Sequence, residues 1–398
     1  MQKRKLISAA AAALVLALAA SGCQNAKAKS TKEANDRWNN SRASVLCSLA
    51  QDQYKAGSFD KCRKTVNDGL KMAPRNPHLH IIAAKLAIEQ GQLEAAEQSL
   101  ETARKFAPNN PEPYYLSGVV YQRWQKPERA YEFYTAASDK APAELSYVMA
   151  RGEMLVELGR TDEALALLQG KVQYFENSAA IRDAVGQLLM QQAKYHDAVA
   201  MFRQAAVLED QDLGFKERLG LALYYDKQYA DAATVLAKLV TDETYAKRAD
   251  VLTALGESQL QSNKAREAKQ TFESATEIDA SNARVWLGLG RAALEMKDFR
   301  RAELALKKAQ SIEPNSAETH LLLGYVRLRQ NRNKEALAAF QKASALDPKD
   351  TVSLCMVGYV HEKTGRSDLA MQCYGRALKL RPNDRLASKL MASVNLND

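Results

Sequence analysis

The stretch ARVWLGLGRAALEMKDFRRAELALKKAQSIEPNS (283–316) is followed without a break by AETHLLLGYVRLRQNRNKEALAAFQKASALDPKD (317–350) and TVSLCMVGYVHEKTGRSDLAMQCYGRALKLRPND (351–384). Gly290, Gly324 and Gly358 recur at one unvarying interval, and Ala302, Ala336 and Ala370, like Pro314, Pro348 and Pro382, keep the same interval. A fixed period of this length signals stacked helical hairpins, each too small to bury its apolar face alone.

Walking back from these three repeats yields ten. They begin at Ala43, Pro77, Pro111, Leu145, Ala179, Leu213, Ala249, Ala283, Ala317 and Thr351, with one two-residue slip near 246–248. The eighth position is Ala or Gly throughout, and the twentieth is Ala except at Cys62. A glycine inside a helix costs about 1 kcal/mol relative to alanine. Eight of them (Gly118 to Gly358) persist only if something approaches the backbone there, and the expected neighbour is the alanine of the second helix. Larger residues such as Trp286, Leu289, Leu306, Leu323 and Phe340 fill the flanks. Proline at position 32 ends the second helix. Glu176, Asp210, Thr244 and Ala280 replace it in four middle repeats, where the junctions are predicted to be less sharp.

A small residue at 8, Ala at 20, aromatic or Leu at 24, Ala at 27 and Pro at 32 resembles the tetratricopeptide repeat over residues 43–382. The resemblance implies an all-α, right-handed superhelical solenoid of about ten helix-turn-helix repeats. Ten repeats are expected to wrap more than one superhelical turn. Residues 383–398, with polar Arg385, Ser388 and Lys389, are predicted to form a C-terminal capping helix.

Residues 1–42 carry eight Lys/Arg against two Asp/Glu, so +6 of the chain's net +9 lies ahead of the array. The repeats form a mixed-charge surface, and no nucleic-acid partner is expected. Lys3, Arg4 and Lys5 precede an Ala/Leu-rich run to Ala20, too short to span a bilayer at the ~20 residues required. Its end, Ala20-Ser21-Gly22-Cys23, resembles the lipobox of bacterial lipoproteins. That resemblance implies a signal peptide over 1–22, a lipid on Cys23 and, with Gln24 next, the periplasmic face of the outer membrane. An ordinary signal with an incidental cysteine, or an uncleaved anchor, is the alternative. Residues 23–42 read as the lipidated cysteine and a flexible polar tether.

No catalytic motif emerges. His78, His80, His196, His320 and His361 show no ligand spacing, and Gly288-Leu289-Gly290 belongs to a helix rather than a phosphate loop. No cofactor, metal or small-molecule substrate is expected. Cys47 with Cys62, and Cys355 with Cys373, lie within the first and last repeats. The pairs read either as disulfide staples at the fraying ends or as packed thiols.

What remains is a binding surface. In the repeat class this chain resembles, positions 2, 5, 9, 12 and 13 of the first helix line the concave groove. None of the ten residues at position 9 is Asn, so the carboxylate clamp of chaperone-binding members is not implied. From the fourth to the seventh repeat the groove reads acidic (Glu153, Glu157, Asp183, Glu217, Asp250, Glu257). From the eighth it reads apolar with arginines: Arg284, Leu287, Arg291, Leu294, Leu321, Tyr325, Leu328, Arg329 and Tyr359. These either hold a client segment or only cover one another. The expected function is a lipid-anchored scaffold for protein clients, similar in build to the repeat lipoprotein of tight-adherence (Flp) pilus systems. Docking of polysaccharide-export or cell-wall enzymes, and service as accessory subunit of a separately encoded enzyme, are the alternatives.

Overall fold

The computed structural model describes residues 34–35 and 37–395. The leader, Cys23 and the tether as far as residue 33 lie outside the described residues. The chain divides into two compact units, Met1–Glu176 and Asn177–Asp398.

Among the described residues every regular element is helical. The first unit holds α1 (37–55), α2 (Phe59–Met72), α3 (Pro77–Glu89), α4 (Leu93–Phe106), α5 (Glu112–Arg123), α6 (Pro127–Lys140), α7 (Leu145–Glu157) and α8 (Thr161–Gln169). The second begins with α9 (Ala179–Gln191), α10 (Tyr195–Leu208), α11 (Leu213–Tyr225), α12 (Tyr229–Leu239), α13 (Glu243–Ala246), α14 (Ala249–Gln261) and α15 (Ala265–Ile278). It continues with α16 (Ala283–Glu295), α17 (Phe299–Ile312), α18 (Ala317–Arg329), α19 (Asn333–Leu346), α20 (Thr351–Lys363), α21 (Ser367–Leu380) and α22 (Arg385–Asn395). The fold class is the expected one. α1 begins ahead of the first repeat position, so residues 37–42, assigned to the tether by composition, are helical instead. The two-residue slip is taken up by α13, a single turn capped by Asp242.

Each hairpin is closed by one residue in the left-handed region, always at repeat position 15. The ten are Gly57, Gly91, Gln125, Gly159, Ala193, Lys227, Asn263, Lys297, Asn331 and Gly365. The next amide reaches back five residues, as in Lys126 N–H to the Tyr121 carbonyl at 3.0 Å, which satisfies an orphan carbonyl of the first helix. First helices open on side-chain caps: Asn76, Asp212, Asn282, Ser316 and Asp350 each accept from an amide of the first turn. The four repeats without the terminal proline differ among themselves. α8 and α12 stop early, whereas α10 and α15 run the same 14 residues as their proline-ended counterparts.

The glycines do not face the alanines. A Cβ at Gly118, Gly186, Gly256 or Gly324 would meet the ring of Tyr134, Phe202, Phe272 or Phe340, in each case the residue at position 24. Leu168, Leu236 and Leu306 take that place over Gly152, Gly220 and Gly290. The missing side chain thus admits a ring or a leucine, and Ala at position 20 is fully buried beside it. Gly288 does the same between repeats, since a Cβ there would run into Phe272 of the preceding hairpin.

Two histidines find structural partners. His80 and His320, at position 4, sit 2.9 Å from the carbonyls of Pro74 and Pro314 at position 32 of the repeat before, where Trp286 similarly donates to Ala280.

Candidate functional site: the terminal cleft of the groove

The groove face is organised by a ladder between neighbouring first helices. In three rungs position 9 of one repeat pairs by charge with position 2 of the next. Lys85 pairs with Glu112 at 2.6 Å, Glu257 with Arg284 at 2.7 Å, and Arg291 with Glu318 at 3.7 Å. Position 12 adds a second contact: Gln122 donates to Glu153 at 3.5 Å, and Tyr224 donates to Glu257. Burial and that carboxylate hold the Tyr224 phenol well above its ordinary range.

This pairing redraws the expected acidic groove. Asp183 is paired with Arg218, Glu217 and Asp250 with Arg248, and Glu257 with Arg284. Three arginines from the same or neighbouring repeats thus face these four carboxylates, Arg248 being shared by Glu217 and Asp250. Glu153 and Glu157 remain exposed carboxylates without a cation partner among the described residues.

The same pairing removes part of the expected binding strip. Arg284 donates Nε and Nη2 to Glu257, and Nη2 also to the Tyr224 hydroxyl at 2.6 Å, so its guanidinium is spent on the array itself. Arg291 is held by Glu318. Leu287 and Leu294 pack on the core of the eighth and ninth repeats (Leu306, Leu323, Val326), and Leu321 packs on the next core. These five are engaged within the array, and none of them lines the cleft at its end.

At the end of the array the ladder changes chemistry. Tyr325 at position 9 of α18 is followed by Val352 at position 2 of α20, and Tyr359 at position 9 of α20 by Leu386 at the equivalent place on α22. An apolar rung cannot close by ion pairing. Here a cleft of about 280 Å³ opens, lined by Tyr325, Leu328, Met356, Tyr359, Leu386 and Leu390 with Arg329 and Lys363 at its rim. Tyr359 is 37% exposed and Leu386 38%, large values for apolar side chains facing one another. Phe340 steadies Tyr325 edge-on at 5.4 Å, and burial raises the Tyr325 phenol above its usual range. Arg329 is exposed with no ion pair among the described residues, and Lys363 donates to Asn331 at 3.2 Å.

Four residues singled out from sequence, Tyr325, Leu328, Arg329 and Tyr359, thus share one cleft. Met356, Lys363, Leu386 and Leu390 were missed. Lys363 occupies a groove position, 13, and was open to discovery by the same register. Leu386 and Leu390 lie on the capping helix, whose role as a wall needs its docking to be known. Asp384 fixes that docking: it accepts from Thr351 Oγ1 at 2.6 Å and from the Ala387 amide at 3.0 Å, while Ala387 and Val394 enter a core with Leu354 and Tyr374.

Neither terminal pairing of cysteines is made. Cys47, Cys62, Cys355 and Cys373 are free thiols. Cys62 is buried with Sγ 3.1 Å from the Ala50 carbonyl, and Cys355 is wholly buried in the last core. Among the described residues no three His, Cys, Asp or Glu are placed to hold a metal ion, and no helix is long and apolar enough to cross a membrane.

Comparison with known proteins agrees with this architecture. Two tetratricopeptide-repeat family profiles match residues 54–120 and 146–169, and the profile of the Cilia and flagella-associated protein 70 C-terminal domain, also of tetratricopeptide type, matches 212–398. The chain is a tetratricopeptide-repeat protein. It is 24% identical over 229 residues to the BBSome complex member BBS4 of Bos taurus, covering 56% of this chain and 43% of that protein, so it spans less than half of that relative. Among solved structures, the array is similar to MamA (19% identity, TM-score 0.39, 41% of this chain and 95% of that one). It is also similar to TTC0263, a thermophilic TPR protein in Thermus thermophilus (21%, 0.39, 46% and 100%), and to YrrB, a TPR protein with an unusual peptide-binding site (16%, 0.34, 56% and 96%). Tetratricopeptide-repeat arrays generally mediate contacts between proteins.

Proposed function

We propose that this chain is a non-catalytic scaffold of the bacterial cell envelope that holds a short segment of a client protein in the cleft between α18, α20 and α22. The observation that carries the reading is the apolar cleft at the end of the array, lined by Tyr325, Met356, Tyr359, Leu386 and Leu390, in which Tyr359 and Leu386 stay more than a third exposed. A cleft of about 280 Å³ sits at the small end of ligand pockets, which suits one or two apolar side chains of a segment. Arg329 and Lys363 at its rim favour an acidic neighbour to that anchor, and the tyrosines supply rigid contact area.

The leader and the lipobox-like Ala20–Cys23 support attachment through a lipid on Cys23 at the periplasmic face of the outer membrane. There the array assists assembly of a pilus or secretion machine by raising a client's local concentration. Two measurements test the reading. Arg329→Glu with Tyr359→Ala, folded by circular dichroism, loses a client that the parent chain captures from envelope extracts; undiminished capture places the client elsewhere. The mass of the chain extracted from membranes shows acyl groups on an N-terminal Cys23; any other N-terminus removes the lipid anchor.

A further inference from the structure

The opposite end of the array carries an unpartnered face of a different kind. Trp38, Arg42, Val45 and Leu49 recur at helical spacing along α1 and share one face. Trp38 is 63% exposed, Val45 70% and Leu49 46%, while Ala43 and Ala50 on the other face are fully buried. In a stack of hairpins the preceding repeat covers such a stripe, and α1 is the first helix of the described array. Beside it lies a hollow of about 460 Å³ lined by Arg42, Val45, Leu46, Asp68, Lys71 and Met72, in which Lys71 pairs with Asp68 at 3.1 Å. Arg42 has no partner among the described residues.

We propose that this face rests on an anionic lipid surface. Charge argues for that occupant. Residues 1–72 hold 13 Lys/Arg and five Asp/Glu, so +8 of the chain's +9 lies at this end and only +1 in all that follows. From residue 23 onward, without the leader, the balance to residue 72 is still +5. An apolar stripe with an interfacial tryptophan, flanked by cations, matches the chemistry of a helix lying in the headgroup region. The stripe has three apolar residues over three turns, so it seats shallowly. A second copy of the chain is the poorer occupant, because symmetric pairing would bring two cationic faces together.

The inference leans on the lipid-anchor reading for one point only, the proximity of α1 to a membrane. Fully extended chain carries Trp38 at most about 50 Å from Cys23. The test therefore uses a chain beginning at Gln24, which lacks leader and lipid and keeps every described helix. The chain is floated with vesicles of phosphatidylglycerol and phosphatidylethanolamine, and with phosphatidylethanolamine and phosphatidylcholine alone. It floats with the anionic vesicles, less so at high salt, and its tryptophan emission shifts to the blue. The triple variant Trp38→Ser, Val45→Ser, Leu49→Ser removes only exposed side chains and keeps its circular dichroism. It loses flotation about tenfold, together with the blue shift. Flotation equal for parent and variant, or none with anionic vesicles, overturns the proposal. So does a concentration-dependent dimer, seen by light scattering and lost in the variant, which would make a second copy the occupant. If flotation fails while Cys23 carries its acyl groups, this inference falls and the anchor stands.

Discussion

Glu257 accepts both Nε and Nη2 of Arg284 at 2.7 Å from one repeat further along the chain, and takes the Tyr224 hydroxyl of the repeat before. One carboxylate, 17% exposed, thereby ties three successive hairpins. Arg284→Ala leaves it half-satisfied. Because the arginine is more than half exposed, the expected loss is discounted to about 1 kcal/mol. Arg291→Ala, removing a looser exposed pair with Glu318, costs a few tenths by the same principle. Thermal unfolding of the two variants side by side checks the difference.

Gly324 and Gly152 occupy the same repeat position with different neighbours. A Cβ at Gly324 would lie 2.5 Å from the Phe340 ring, whereas at Gly152 it would lie 3.2 Å from a Leu168 methyl, the end of a flexible side chain. Gly324→Ala is expected to destabilise by about 1–2 kcal/mol, overpacking outweighing the ~1 kcal/mol gain in helix propensity. Gly152→Ala is expected to be neutral or stabilising. Denaturant midpoints in opposite order would contradict this account of the glycines.

His361 is buried on α20 with Nδ1 lacking a hydrogen-bond partner, and burial, then Arg366, holds its pKa below the ordinary 6.5. The folded chain therefore prefers the neutral ring, and the unfolded chain takes up the proton first as pH falls. The contribution is fully present above about pH 6.5 and is lost on acidification toward the folded value. Unfolding midpoints fall between about pH 7.5 and 5.5, and His361→Gln flattens that dependence. A steeper slope in the variant would reverse the sign.

The thiols make a separate test. Burial, followed by Asp384 and Asp350, pushes Cys355 up to about 12, and burial raises Cys47, Cys62 and Cys373. The reactive thiolate is therefore scarce at neutral pH. Without reductant, maleimide spares Cys62 and Cys355 in the native chain and labels all four cysteines of the described array in denaturant. Fewer than four labels there would show a disulfide.

The hairpins were legible because the same packing problem recurs in every repeat, and small residues at 8 and 20 report it directly. What the period hides is the identity of the neighbour: the helical glycines make room for position 24, which only the packed hairpin reveals. Position 15 is equally silent, since Gln125, Ala193 and Lys227 adopt the left-handed turn that Gly57 and Gly91 take without strain. At the groove, the register brings Tyr325, Leu328, Arg329 and Tyr359 to one cleft. It does not show that Arg284 and Arg291 are ion-paired, because their partners, Glu257 and Glu318, belong to neighbouring repeats. Composition counted those arginines as available, and the fold had already used them.

The most direct test of the client cleft is photocrosslinking in the intact envelope. A benzoylphenylalanine replacing Tyr359 is compared with one replacing Val207, which is 76% exposed on the second helix of the fifth repeat. The cleft position is expected to give a discrete adduct that Arg329→Glu weakens, and the Val207 position none. No adduct at 359, or the same adduct from both positions, would contradict a client held between α18, α20 and α22.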